Sequence, residues 1–308
     1  MRCQILAYAA VDERNRAAAQ ALEVFYLLAE AEANRDILRR GVERADAMLN
    51  DLADLEKQGL TVPPDADSIR RQRLDLLDRQ AQLELSLRQL NSQLRRLLGV
   101  ESSEPAPFWP AADLRVVPEP IDYEAAVADG LAHRADVNLL RMLSQALSRR
   151  TVEAVRAGLS QISGVLGISV PAARRLSAWL GGAAKRTEVH ARRHQLEGLL
   201  ADRHRAAAEE IRQAAQTVET RLEQVVLAQS KVENWEKHVD SLKQLQGGPD
   251  GVTAFDLGAA ELQLLEARST LVHEVVAWRI AQVKLKQSQG LLSLECGYEL
   301  PPLPCSGE

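Results

Sequence analysis

Aromatic side chains are scarce: three Phe, four Tyr and four Trp make up 4% of 308 residues. That excludes a globular core built on large rings. Cysteine offers no framework either. Cys3, Cys296 and Cys305 are an odd, scattered set without disulfide or metal-ligand spacing, and they leave the redox compartment open. No stretch approaches the roughly 20 consecutive apolar residues of a membrane-spanning helix. Neither sign of charge dominates, and a formal net charge of −5 names no partner. The opening "MRCQILAYAAVDERNR" has one Arg and a very short apolar run before charges arrive, whereas a secretory signal needs a longer apolar core and a small-residue cleavage site. The expectation is a chain with no export signal as written, which either stays in the cytoplasm or is missing its true N-terminus.

Ala, Leu, Glu, Arg and Gln are abundant instead, all strong helix formers. They carry an apolar residue every seven positions. Val24, Ala31, Leu38, Ala45 and Leu52 form one series, and Ile69, Leu76, Leu83, Leu90 and Leu97 a second. Ile211, Val218, Val225, Val232 and Val239 form a third, and Leu257, Leu264, Leu271, Trp278, Leu285 and Leu292 a fourth. The later pair of series repeats the earlier pair at an offset of about 187 to 188 residues, an internal repeat at long range. A sustained seven-residue period predicts helices that supercoil left-handedly.

Between the arms of each pair lies turn chemistry: "KQGLTVPPDADS" in the first copy, "QLQGGPDGVTAFD" in the second. Gly permits the positive φ that ends a helix and Pro cannot continue one. Asp65 or Asp67 can cap the outgoing helix of the first copy. Thr253 with Asp256 has capping-box spacing in the second. The predicted fold is all-α: two long antiparallel coiled-coil hairpins in tandem, with little or no β-structure. Each arm of about 35 residues is roughly 50 Å long at 1.5 Å per residue. The seam is assigned to Leu38, Leu52, Leu76, Leu83, Leu90, Val225, Val232, Leu264, Leu271 and Trp278. Apolar residues beside the seams widen each stripe, so each helix is expected to have more than one neighbour.

The organisation reads as a first hairpin over 1–99, a Pro-rich linker over 100–122, connecting helices and a short β-capable run over 123–185, a second hairpin over 186–292 and an unstructured tail over 293–308. A helix break is expected near Gly130, and Ile162 to Val170 is the β-capable run. Trp179 reads either as an interfacial anchor or as a core residue.

Several residues here resemble those of a known family. "RRLLG" closes the first hairpin at Gly99, Tyr123 to Val137 read Y-x-x-A-V-x-x-x-L-x-x-R-A-D-V, and Ala281 to Gly290 read A-x-x-x-L-x-x-x-Q-G. This order is similar to that of the TolC-like outer-membrane efflux proteins, with Arg134, Ala135 and Asp136 at the family's Arg-Pro-Asp triplet and Gly251, Thr253 and Asp256 at its hairpin tip. The signal peptide and most of the barrel strands have no counterpart: there is no room before the first hairpin, and little between Gly158 and Gly182. The resemblance implies a homotrimer whose hairpins line a periplasmic tunnel, a passive conduit for export in the outer membrane and periplasm. It further implies docking of a periplasmic adaptor and an inner-membrane pump at the tips, here Gly59, Thr61, Gly251, Thr253 and Asp256. The other reading of the same hairpins is a soluble coiled-coil scaffold or tether, either a fragment or a chain that lost its barrel.

Nothing in the sequence points to an enzyme, a cofactor or a metal. "GGPDG" lies between helices without the Lys of a phosphate loop, and no Ser has a nucleophile-elbow context. His190 and His194 sit four apart, but Arg192 and Arg193 flank them and no third ligand completes a motif, so they read as a solvated helix face. The middle is basic, with Arg149, Arg150, Arg156, Arg174, Arg175, Lys185, Arg186, Arg192 and Arg193. That set reads first as a solvated face, then as contact with anionic lipid headgroups. Nucleic-acid binding is the weakest of the three, because charge runs alone are poor evidence.

Overall fold

A computed structural model describes residues 2–57, 66–100, 107–148, 150–162, 183–245, 253–298 and 300. Eight helices are described: α1 (Arg2–Lys57), α2 (Ala66–Leu98), α3 (Tyr123–His133), α4 (Ala135–Ala146), α5 (Val152–Ile162), α6 (Ala183–Leu245), α7 (Ala254–Gln289) and α8 (Leu292–Glu295). No strand occurs among the described residues. The all-α, two-hairpin expectation holds. The β-capable run beyond Ile162, Trp179, and the loop residues Gly59, Thr61 and Gly251 lie outside the described residues.

Two compact units are present. One gathers Met1–Ala19, Pro120–Gln216 and Val283–Glu308; the other gathers Gln20–Glu119 and Thr217–Gln282. The four long helices contribute to them unequally: α1, α6 and α7 give segments to both, α2 to the second alone.

In the second unit α1 pairs with α2 and α6 with α7. The α1–α2 seam is apolar: Val24, Leu28 and Ala31 pack with Leu87 and Leu94, and Leu83, Leu90 and Leu97 lie partly buried beside them. The ion pairs Arg35–Glu84 and Asp46–Arg73 show the direction, since α2 numbering falls as α1 numbering rises. The α6–α7 seam repeats this with Val232 and Val239 against Leu257, Ala260 and Leu264, flanked by the half-buried Leu271. Its pairs, Glu236–Arg268 at 2.8 Å and Lys243–Glu261 at 3.5 Å, are again antiparallel. Val225 and Trp278 are fully buried. Leu38 and Leu76 are half-buried, and Leu52 is buried in a cluster near the hairpin ends with Ala45, Met48, Ile69 and Leu262.

The two hairpins meet through α1 and α7. This seam mixes apolar contacts near the ends with polar clasps along its length. Ser269 Oγ donates to Asn34 Oδ1 at 2.7 Å, His273 Nδ1 lies 2.8 Å from Glu30 Oε1, and Arg44 Nε lies 2.7 Å from Glu261. Lateral order in this unit is therefore α2, α1, α7, α6. Small residues allow the closest approaches. A Cβ at Gly258 would stand 2.6 Å from Met48 Sδ.

A strap over 107–122 follows α2, extended as its prolines dictate. Phe108 N–H donates to Asn91 Oδ1 at 2.7 Å, and its ring joins the α1–α2 core beneath the Arg95 guanidinium. Arg279 Nη2 on α7 donates to Arg115 O at 2.7 Å and to Asp113 O at 3.3 Å, pinning the strap further along.

The first unit has its own core. Ile5, Tyr8 and Val11 of α1 meet Leu140, Met142 and Leu143 of α4, Val152, Val155 and Leu159 of α5 and Leu196 of α6. Two expectations need correction here. The helix break is at Arg134, whose backbone is extended (φ −64°, ψ 125°), while Gly130 stays inside α3. The glycine is needed for space: a Cβ there would lie 2.3 Å from Ile211 Cδ1 and 3.3 Å from Gln289 Cα. The tail is also ordered further than expected. Leu292–Glu295 form α8, Ser293 is buried, and Arg14 stacks 4.1 Å over the Tyr298 ring.

Candidate functional site

Three features bear on function. The first is a clasp, inside the first unit, that joins two of the motifs on which the family resemblance rests. Helix α7 ends at Gly290 (φ +77°), with Gly290 N–H donating to Gln287 O and Leu291 N–H to Lys286 O, both at 3.0 Å. This is the Schellman arrangement, which favours Gly at the left-handed position. The end is then gripped from three sides. Asn15 Nδ2 of α1 donates to Gln287 O at 2.8 Å, Arg134 Nη1 donates to Ser288 O at 2.9 Å, and Gln289 Nε2 donates to Ala126 O of α3 at 3.0 Å. A Cβ at Gly290 would press on His133 O at 3.1 Å and Arg134 Cα at 3.2 Å. So Arg134 and Asp136 of the triplet, and Gln289 with Gly290 of the second motif, form one assembly.

Arg134 holds the clasp by charge as well. Its Nε and Nη2 donate to Asp136 Oδ1 and Oδ2 at 3.1 and 2.9 Å, and its Nη1 reaches Glu210 Oε2 at 2.6 Å. From α6, Arg203 donates to Asp136 Oδ2 at 2.7 Å and to Glu210 Oε1 at 2.9 Å. Burial alone would push the Asp136 carboxyl up. The hydrogen bonds and charge of Arg134, then those of Arg203, override it and hold the group at about 2. Asn138, itself buried, ties the break together by donating to Ala132 O at 2.7 Å and Arg134 O at 2.9 Å.

The second feature is the start of α7. Thr253 N–H donates to Asp256 Oδ2 at 3.0 Å, and Asp256 N–H donates to Thr253 Oγ1 at 3.1 Å. These are the two reciprocal bonds of a capping box. The Thr253 hydroxyl also donates to Asp256 Oδ2 at 2.7 Å, and these bonds hold the carboxyl below its ordinary value. Both residues are exposed.

The third feature is the outer side of the second unit. Helix α2 exposes Leu74 (61%) and Leu85 (58%), about three turns apart and so on one face. Helix α6 exposes Val226 (55%) and Leu227 (63%), which with Leu222 and Glu223 line a shallow hollow. These residues stand off the seven-residue series, which is why periodicity passed over them. Asn15, Arg203 and Glu210 of the clasp gave no sequence signal either, because each lies on a different element from the residue it holds.

Among the described residues no group of three His, Cys, Asp or Glu is suited to a metal ion. His190 and His194 stack at 5.8 Å on an exposed face of α6. One member of the basic middle, Arg156, is paired with Glu188. No described helix is long and apolar enough to cross a membrane.

No protein-family model matches the chain, and no curated protein matches it by sequence. Solved structures do match. The Campylobacter jejuni CmeC outer membrane channel superposes with a TM-score of 0.68 at 14% identity, over 97% of this chain and 66% of that one. The outer-membrane channel OprN gives 0.64 at 15%, over 93% and 69%. The outer membrane protein VceC from Vibrio cholerae gives 0.63 at 15%, over 94% and 74%. This chain thus spans between two thirds and three quarters of the length of those channels. At such identity the likeness is one of fold: the two helical hairpins of this chain have the fold of the helical part of those channels.

Proposed function

We propose that the chain is a wall element of a TolC-like export conduit, a homotrimer that works by geometry and catalyses no reaction. One observation carries this reading most of the way. Four antiparallel helices stand in the lateral order α2, α1, α7, α6, and the two outer ones expose large apolar side chains, Leu74 and Leu85 on one and Val226 and Leu227 on the other. Different surfaces on the two outer helices suit a head-to-tail interface, which closes into a ring. The fold of solved outer-membrane channels supports the same arrangement. In this reading the hairpin ends, with Thr253 and Asp256 rigidified by their cap, meet a periplasmic adaptor and an inner-membrane pump, and the assembly works in the periplasm and outer membrane without a cofactor.

The test is the absolute mass of the purified chain by light scattering after size exclusion, with and without mild detergent. A trimer is expected, and Leu74→Glu together with Leu227→Glu should reduce it to monomer while leaving the helical circular dichroism intact. A wild-type monomer under both conditions would overturn the conduit and leave a coiled-coil scaffold or tether.

A further inference from the structure

Asn15 is 5% exposed. Its Nδ2 donates to Gln287 O, which fixes the orientation of the amide, and its Oδ1 is buried with no hydrogen-bond partner. A buried acceptor without a partner is costly, so such atoms are rare in native folds. This one opens on a small polar cleft lined by Asp12, Arg134, Asp136, Gln287, Gly290 and Ser293. Asp12 stands one helical turn before Asn15 on the same face of α1, the spacing at which helix side chains touch.

We propose that Asp12 takes up a proton within the folded protein, and that the resulting O–H donates to Asn15 Oδ1, so that the start of α1 clasps the end of α7 more firmly as the pH falls. The proton comes from solvent and returns to it, and no other bond changes. The charged groups facing Asp12 set the balance. On α1, Arg16 pairs with it and favours the carboxylate, while Glu13 opposes ionisation. From the turn between α3 and α4, Arg134 favours the carboxylate and Asp136 opposes it. From α7 and α8 the cleft receives Gln287, Gly290 and Ser293, none of which titrates. Burial is the largest influence and pushes the Asp12 carboxyl up. Arg16 pulls it down and Asp136 pushes it up again, with a net rise above 3.8.

The sign of the effect follows. A carboxyl that binds its proton more tightly folded than unfolded adds stability below 3.8, and that contribution vanishes as the pH climbs through the folded value. Asp136, held at about 2, behaves in the opposite way and is ionised in the folded protein throughout the range where Asp12 responds.

Two measurements on the whole chain decide the matter. First, thermal unfolding is followed over about pH 4 to 7 for wild type, Asp12→Asn and Arg16→Gln. Asp12→Asn supplies a permanent donor, so its Tm at pH 7 should exceed wild type by about 2–4 °C, with the advantage shrinking toward pH 4. Arg16→Gln should move the acid-side gain of the wild type to higher pH. Second, the Asp12 carboxyl carbon is titrated by NMR in wild type and in Asn15→Ala. The wild-type midpoint should lie above 3.8 and fall when the acceptor is removed. An Asp12→Asn protein that melts below wild type at pH 7, or a midpoint unmoved by Asn15→Ala, would overturn the proposal. The latter result would mean that Asn15 Oδ1 is met by a buried water and not by Asp12.

Discussion

Two helix ends in this chain share one local design and differ in what surrounds it. Helix α2 ends at Gly99 (φ +66°), with Gly99 N–H on Arg96 O and Val100 N–H on Arg95 O; α7 ends at Gly290 (φ +77°) with the equivalent pair of bonds. At Gly99 an added Cβ would meet nothing within 4 Å. At Gly290 it would meet the backbone of His133 and Arg134, and the last carbonyls of α7 are taken by Asn15 and Arg134. The same stop signal thus stands at the ends of α2 and α7. At α2 it is a local cap, and at α7 it anchors a folded unit. What a glycine does at a helix end is set by its own φ; how much it matters is set by what the neighbouring elements place against it.

Removing the anchor's charge should separate the two ends most strongly. Arg134→Met leaves both caps intact but strips Asp136 and Glu210 of a partner whose side chain is 11% exposed. A loss of about 3 kcal/mol is expected, at the low end for a broken buried pair because Arg203 still holds both acids. Chemical denaturation monitored in the first unit would show it. Next, Gly290→Ala adds crowding against backbone to left-handed strain and should cost about 2–4 kcal/mol, whereas Gly99→Ala carries the strain alone, about 1–2 kcal/mol. Equal losses at the two sites would dissolve the distinction drawn above.

Acid sharpens the same contrast. Asp136 sits at about 2 in the folded protein against 3.8 ordinarily, so its contribution is complete above 3.8 and is lost as the pH falls toward 2. With a side chain one-third exposed, about 1–2 kcal/mol is at stake after screening. Hydrogen exchange around Gly290 should rise in that window, with no matching rise around Gly99. The smallest effect belongs to the capping box. Thr253→Ala should cost about 1 kcal/mol and fray the start of α7 without touching its end.

The long helices were legible because seven-residue spacing is a one-dimensional signal: Val225, Val232, Leu264 and Trp278 are buried where the series put them. Thr253 and Asp256 were legible for the same reason, since a cap is local. In α2 the pattern was only half informative. The series named Ile69, Leu76, Leu83, Leu90 and Leu97; Ile69 is buried as expected, but further along the deeper positions are Leu87 and Leu94, one helical turn after Leu83 and Leu90. The helix break expected near Gly130 falls about one turn later, at Arg134; Gly130 itself answers to Ile211, a residue 81 positions away that no local rule consults. The clasp was legible only as two motifs, each quoted separately; that Gly290 lies on Arg134 is a fact of tertiary packing.

The polar clasps between α1 and α7 have one more effect. A chain with four seven-residue series invites misalignment, since sliding one helix by a heptad keeps apolar positions against apolar positions. Sliding α7 along α1 would not keep His273 at Glu30, Ser269 at Asn34 or Glu261 at Arg44. Each displaced register strands several polar groups at once. The two hairpins can therefore meet in a single alignment, because only one register satisfies all three polar pairs.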